Sequence, residues 1–485
     1  MPRRDDGVMT KSHPDGARAP RIILVGAGDR GRKVYGAWIA AHPGKARIVG
    51  VAEPLAWRRE EVARRHDIPP SAVAAGWKEL FASPPEAEAC IVATRDDDHV
   101  GPALAALGAG LDVLLEKPMA TTAEDSARLV EAARLAGRRL RVCHVLRYTH
   151  FFQAAKQAVA SGALGRIIHI SHAENVSYWH FAHSYVRGNW RNEGESSPLV
   201  LAKTCHDLDL IQWIGGGRVA RVQSFGTTTH FRAHNAPPGA PDRCVGSARG
   251  ICPHAADCLW FAPRLYEGGE DVLGAALRAS NPLWRLAART AISGSHLLGS
   301  LGRVLPAAAS LAQWRQWPAS VACDDPSPSA MARALAEGPY GRCVYRCDND
   351  APDHQVVSME FEDGLTATMT VEGLSDSEGR WLRIEGSKAT LVGDFGFAGE
   401  RLELREHRSG KKKILRARGF SFVGHGGGDE GLMDSFVEGL SRPREEEEAP
   451  TSAAASLESH LIAFAADRSR REGRIVDMKE MRRLP

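Results

Sequence analysis

Apolar runs and the spacing between them divide the chain into two parts. Over the first 146 residues, short apolar runs (Arg21–Val25, Arg47–Ala52, Ala89–Ala93, Leu111–Leu115 and Arg139–Val145) alternate with stretches of helical spacing. Those stretches run to about Ala41, then over Trp57–His66 and Val100–Ala109, and from a Thr121 or Thr122 cap to Gly137. Uninterrupted apolar runs bounded by turn residues predict strands buried on both faces. Their alternation with helices predicts a doubly wound parallel sheet.

After residue 146 the period changes to two. Arg166–Ala173 and Val219–Phe225 alternate, and Thr227–Phe231 continues the latter or pairs beside it. Val356–Phe361 and Thr366–Val371 flank an Asp363-Gly364 turn and predict a hairpin; Arg380–Glu385 and Ala389–Val392 add strands. Arg401–Arg418 reads as a solvated basic hairpin, and Ile475-Val476 as a closing strand. Helices are expected over Phe151–Ser161, Glu430–Leu440 and Ser452–Arg471. The expected fold class is α/β: a doubly wound parallel sheet, then an α+β domain with a large, open, mainly antiparallel sheet. The expected divisions are a disordered tail (1–20), a first domain (21–146) and a second domain (147–485) with a helical insertion at about 271–317.

Composition narrows the function classes. A net charge of +3 with no basic recognition helix argues against nucleic acid. No apolar run reaches the roughly 18 residues of a membrane span. The first 20 residues carry no apolar leader segment, and the nine cysteines form no disulfide framework. A reducing, cytoplasmic setting is the expectation.

The first strand runs into Gly26-Ala27-Gly28-Asp29-Arg30-Gly31 and then a helix. Gly26 permits the tight turn, Gly28 lets backbone approach a pyrophosphate, Gly31 allows close helix–strand packing, and the helix N-terminus attracts the anion. The second strand ends at Glu53, an acid suited to ribose hydroxyls and hostile to a 2′-phosphate. NAD is therefore expected, with NADP kept open by Arg58 and Arg59 nearby. Asp29, Arg30, Thr94 and His99 complete the cofactor side as read from this loop and from the end of the third strand. His99 either faces the nicotinamide or caps the next helix. Glu116-Lys117-Pro118 follows the next strand, where open α/β sheets bind ligands.

The glycine motif, the strand-end acid, the Thr94–His99 segment and Glu116-Lys117-Pro118 together resemble the glucose–fructose oxidoreductase / inositol dehydrogenase / rhizopine catabolism family. The resemblance implies NAD(P)-dependent oxidoreduction of sugars and cyclitols, a Lys117 catalytic beside the nicotinamide with Pro118 shaping its loop, and a homo-oligomer through the C-terminal sheet. Arg147-Tyr148 corresponds to the family's Arg-Tyr segment. The family also has a catalytic or substrate-binding His, matched by His206, with an Asp four residues earlier; here that position is Ala202.

Lys203, His206 and Asp209 fall in one row if the segment is helical, which suits proton transfer to a carbinol. Substrate contacts are expected from Arg147, Tyr148, Trp190, Arg191 and Asp209, the aromatic-polar run 178–191 suiting sugar hydroxyls and C–H faces. Cys244, Cys252 and Cys258, with Cys343 or Cys347, either hold a structural zinc or are ordinary thiols. Two rival functions stay open: a redox-neutral NAD-dependent glycosidase or epimerase, and a non-catalytic nucleotide sensor.

Overall fold

The computed structural model describes residues 18–246, 250–268, 317–325, 327–396, 399–418, 424–442 and 450–483. The expected insertion lies outside the described residues, Trp317 excepted, as does the expected tail up to residue 17.

The chain forms two compact units. The first comprises residues up to Tyr148 together with Gly428–Glu458; the second comprises Thr149–Gly427 and Ser459–Leu484. Segment 428–458 returns to the first unit. The reason lies in its hydrogen bonds. Val142 N donates to Thr451 O at 2.8 Å, Arg139 donates to the carbonyls of Gly439 and Arg442, and Arg30 pairs with Asp429 at 2.8 Å.

In the first unit β1 (Arg21–Val25), β2 (Arg47–Ala52), β3 (Val73–Ala74), β4 (Ala89–Val92), β5 (Asp112–Leu115) and β6 (Leu140–Val142) form a parallel sheet. Its order is β3-β2-β1-β4-β5-β6. This is the dinucleotide-binding order, reversing direction at β1, and ligands sit at the carboxyl ends of such strands. Central strands are buried along their length: Ile23, Cys90, Val92, Val113 and Leu115 lie at 0–1% exposure or below. Each such aliphatic side chain contributes about 1.5–3 kcal/mol. The helix Ala123–Ala136 is capped by Thr122, which accepts from Asp125 N at 3.1 Å, and it ends at left-handed Gly137.

The second unit is built on nine strands: β7 (Ile167–Ser177), β8 (Val219–Thr227), β9 (His354–Phe361), β10 (Thr366–Ser375), β11 (Gly379–Gly386), β12 (Ala389–Gly396), β13 (Gly399–Glu406), β14 (Lys412–Arg418) and β15 (Val476–Asp477). The order is β14-β13-β12-β11-β7-β10-β9-β8-β15, and only β7–β10 is parallel. The basic hairpin supplies β13 and β14 of this sheet. Residues 228–231 leave β8 instead of extending it. Alternation on β7 buries Ile170, His172, Glu174 and Val176 on one face, and the helices His150–Ala160 and Cys205–Gly215 pack over the sheet.

Candidate functional site

In the first unit the glycine loop follows β1 directly. Gly26 sits at φ +88°, and a Cβ there would come within 2.4 Å of Ala93 O; a Cβ on Gly31 would come within 2.0 Å of Gly26 O. The protein itself demands both glycines. Gly28 differs: a Cβ there meets nothing within 4 Å. Its bare backbone leaves open space at the mouth of the helix that begins at Asp29, which fits the phosphates of a dinucleotide.

Glu53 is 5% exposed, and its carboxylate accepts from Ala27 N at 2.7 Å and Leu55 N at 3.0 Å. It braces the glycine turn in addition to standing where a ribose acid belongs. Arg59 Nη1 donates to Pro54 O at 2.9 Å, so its guanidinium is engaged by loop carbonyls.

Several expected cofactor contacts have structural partners. Arg30 Nε donates to Glu116 at 2.5 Å and its Nη2 pairs with Asp429 at 2.8 Å; Tyr35 OH also donates to Glu116 at 2.5 Å. Burial opposes ionisation of Glu116, but Arg30 outweighs it and holds the carboxyl below its ordinary value. Arg30 and Glu116 thus lock the first helix onto the end of β5. Asp29 pairs with Lys33 at 2.9 Å along that helix. His99 is 1% exposed; its Nδ1 donates to Pro118 O at 2.6 Å and its Nε2 lies 3.3 Å from Thr94 O. It stands at the start of helix Val100–Gly108 without a side-chain capping bond, and instead ties the β5 loop to the β4 loop. Thr94 Oγ1 donates to Asp98 O. Lys117, half-buried, precedes a cis peptide to buried Pro118 at the carboxyl end of β5. Arg147 donates to Pro450 O and Tyr148 OH lies 3.0 Å from Thr451 Oγ1. Both fasten the returning segment of the first unit.

In the second unit the helix expected to carry Lys203 and His206 is broken. Leu199–Ala202 is one turn, Lys203-Thr204 a bend, and Cys205–Gly215 a separate helix. Lys203 therefore lies outside the helix on which His206 and Asp209, three apart, share a row. Lys203 Nζ lies 2.9 Å from Glu174 and 3.3 Å from Glu378. Burial works against its charge, yet those carboxylates raise its pKa above the ordinary lysine range. The two carboxylates hold it as a cation.

Lys203 belongs to a network that the sequence reading missed. Arg380 stands directly opposite Glu174 across β11 and β7 and pairs with it at 2.9 Å. Arg380 also binds Asp207 at 2.8 Å, His172 Nε2 donates to Asp207 at 2.7 Å, and His180 Nδ1 donates to Glu378 at 2.8 Å. Burial opposes ionisation of Asp207, but Arg380 and His172 lower its pKa; burial likewise opposes that of Glu378, and His180 and Lys203 lower it. Lys203, Arg380, His180 and Glu378 keep 12–19% of their side chains exposed, while Glu174, Asp207 and His172 lie behind at 0–1%. The outcome is a polar floor with a rigid charge pattern. The available signal was His172 and Glu174 falling on the apolar phase of β7.

His206 occupies the first turn of Cys205–Gly215 at 5% exposure, its ring 6.3 Å from that of His425. Asp209 is 1% exposed. Arg191 is engaged by Asp348 at 3.1 Å and Glu195 at 2.9 Å. Trp190 is half-buried beside Tyr185. The run 182–187 is buried: Tyr266 OH lies 2.9 Å from His183 Nδ1, and Tyr340 stacks on the His183 ring at 4.9 Å. Those groups form a local core.

Cys244, Cys252, Cys258 and Cys343 line one cavity. Among the described residues no three His, Cys, Asp or Glu side chains are placed so that they could hold a metal ion without moving. No described helix is long and apolar enough to cross a membrane.

Comparisons with known proteins agree with this architecture. Residues 20–144 match the model of an oxidoreductase family with an NAD-binding Rossmann fold, and residues 152–249 match the GFO/IDH/MocA C-terminal domain. The YteT protein of Bacillus subtilis is 23% identical over 403 residues, covering 81% of either chain. An inositol 2-dehydrogenase of Agrobacterium fabrum is 34% identical over 197 residues, 40% of this chain and 54% of that one. Levoglucosan dehydrogenase, solved with NADH and levoglucosan, has the same fold: TM-score 0.61 at 15% identity, over 95% of this chain and 100% of that one. Residues 20–144 and 152–249 thus match, in order, the N-terminal and C-terminal domain models of the Gfo/Idh/MocA oxidoreductases.

Proposed function

We propose that the chain interconverts a secondary hydroxyl and a ketone on a sugar, cyclitol or glycoside, using NAD in preference to NADP. The observation that carries the reading is Gly28: open space over bare backbone, between two glycines that the fold requires, at a helix N-terminus. Gly26, Gly28 and Gly31 would hold the pyrophosphate and Glu53 the adenosine ribose. Bound nicotinamide supplies the hydride acceptor or donor.

The remaining chemistry falls to side chains. Lys117 donates to the reacting oxygen and orients it. His206 takes the carbinol proton in oxidation and returns it in reduction. Lys203 is a positioning residue: its fixed charge holds Glu174 and Glu378, which leaves proton transfer to His206. Trp190 is retained as a stacking face for the substrate. Self-association through the nine-stranded sheet and a cytoplasmic setting belong to the same proposal.

The test begins with nucleotide released from freshly purified, denatured protein, followed by a sugar and cyclitol screen for NADH. Expected are NAD binding, retained or titratable, and NADH formation that Lys117→Ala and His206→Ala each lower by at least about 100-fold. Stoichiometric retained NAD with substrate turnover and no net NADH would reassign the chain to redox-neutral chemistry. Absence of binding of either nucleotide overturns the enzymatic reading.

A further inference from the structure

Among the described residues of 228–268 there are only short turns, Ala233–Asn235 and Arg264–Gly268, and no strand. Three separated stretches are nevertheless stitched together here. Cys244 N donates to Gly341 O and Cys343 N to Asp242 O, each at 2.8 Å, on either side of the antiparallel bridge Arg243–Arg342. Period-two alternation therefore puts Cys244 and Cys343 on one face of that bridge as diagonal neighbours. Cys252 N donates to Cys244 O at 3.0 Å, and the turn that follows brings Cys258 N onto His254 O at 2.9 Å. The four thiols share one cavity.

A second, independent feature points into the same cavity. Arg187 lines it at 1% exposure. Its Nε donates to Arg342 O at 2.8 Å, and its Nη2 donates to Trp260 O at 2.6 Å and lies 3.6 Å from Cys244 Sγ. Its Nη1 is buried with no hydrogen-bond partner. Among the described residues no carboxylate pairs with this guanidinium. Its other neighbours are the Tyr266 phenol and cysteine thiols, so a positive charge removed from water lacks a carboxylate counter-charge.

We propose that Cys244, Cys252, Cys258 and Cys343 hold one thiophilic divalent cation, zinc above all, and that Arg187 is the buried counter-charge of the tetrathiolate. Four thiols lose four protons to solvent, four metal–sulfur bonds form, and the centre carries two negative charges. Arg187 offsets one of them and donates to sulfur, as outer-shell groups do. The sulfurs turn inward to complete the tetrahedron. The cation staples a strandless lobe whose own apolar cluster, around Cys244, Tyr266, Leu335 and Tyr340, is small.

The test uses the tag-free full chain, purified under reducing conditions without chelator. Expected is about one zinc per chain by elemental analysis, lost in Cys258→Ser and kept in Cys323→Ser, whose sulfur lies outside the cavity. Arg187→Gln should weaken retention against a chelator by about 10- to 100-fold. X-ray absorption on the unmodified protein gives the answer if a cysteine variant does not fold: a sulfur-only shell is expected, and nitrogen or oxygen ligands overturn the assignment. Equal zinc in Cys258→Ser, or folded protein that neither carries zinc nor takes up added zinc, overturns it as well.

Discussion

Lys203 and Glu174 form a buried ion pair, Nζ to Oε1 at 2.9 Å, with Glu174 at 1% exposure. Lys203→Met leaves Glu174 and Glu378 facing each other without their shared cation. Removing one partner of such a pair costs about 3–5 kcal/mol. Urea unfolding should show that loss, with part regained in Lys203→Met/Glu174→Gln. A stability change under about 1 kcal/mol would mean the pair is solvated and the polar floor misjudged.

Gly26 and Gly28 should separate folding from binding. Gly26→Ala places a Cβ against Ala93 O at a left-handed φ and destabilises the chain by at least about 1–3 kcal/mol. Gly28→Ala meets no protein atom, so its melting temperature should stay near that of the parent. Its NAD affinity should fall at least about tenfold, about 1.4 kcal/mol. Calorimetric titration with NAD and a thermal melt read both, and unchanged affinity in Gly28→Ala would place the pyrophosphate elsewhere.

Glu53→Gln keeps an oxygen to accept from Ala27 N, gives up the bond from Leu55 N and removes the negative charge. The turn should survive, and the preference for NAD over NADP should shrink about tenfold, about 1.4 kcal/mol, because a 2′-phosphate no longer meets a carboxylate. Paired affinity measurements with the two nucleotides check this.

Acid should loosen the second unit before it affects ordinary carboxylates. Burial pushes the His183 pKa well below the usual histidine value, and His180 and Arg187 add to it. The unfolded chain then takes up a proton below about pH 6.5 that the native ring refuses. Stability from this site is full above that pH and falls on acidification, by up to about 1.4 kcal/mol per pH unit. Asp207 and Glu378, with pKa values also depressed, keep their contribution until the pH drops below about 4 and lose it beyond. Melts between pH 7 and 5 should slope downward in the parent and flatten in His183→Phe.

The parallel sheet was legible because each strand is a continuous apolar run, and the glycine loop because its spacing is tied to a strand and a helix. The polar floor was not. Glu174, Lys203 and Glu378 are remote in sequence and meet only through the pairing of β11 with β7. Lys203 and His206 suggested one helical row, which the bend at Lys203-Thr204 breaks. His99 and Glu116 lie where ligand contacts are common, yet their hydrogen bonds run to Pro118 and Arg30. Position along the chain marked the neighbourhood, while partner choice depended on tertiary packing.

The returning segment has a consequence for synthesis. On the ribosome, β1 to β6 emerge long before residues 429–451. Until then Arg30 lacks Asp429, Arg139 lacks the Gly439 and Arg442 carbonyls, and the β6 edge lacks Thr451. The nucleotide-binding unit is therefore completed late in translation, after nearly the whole second unit has been made. A nascent chain halted anywhere between residues 149 and 428 carries the entire glycine motif without the buttress behind it.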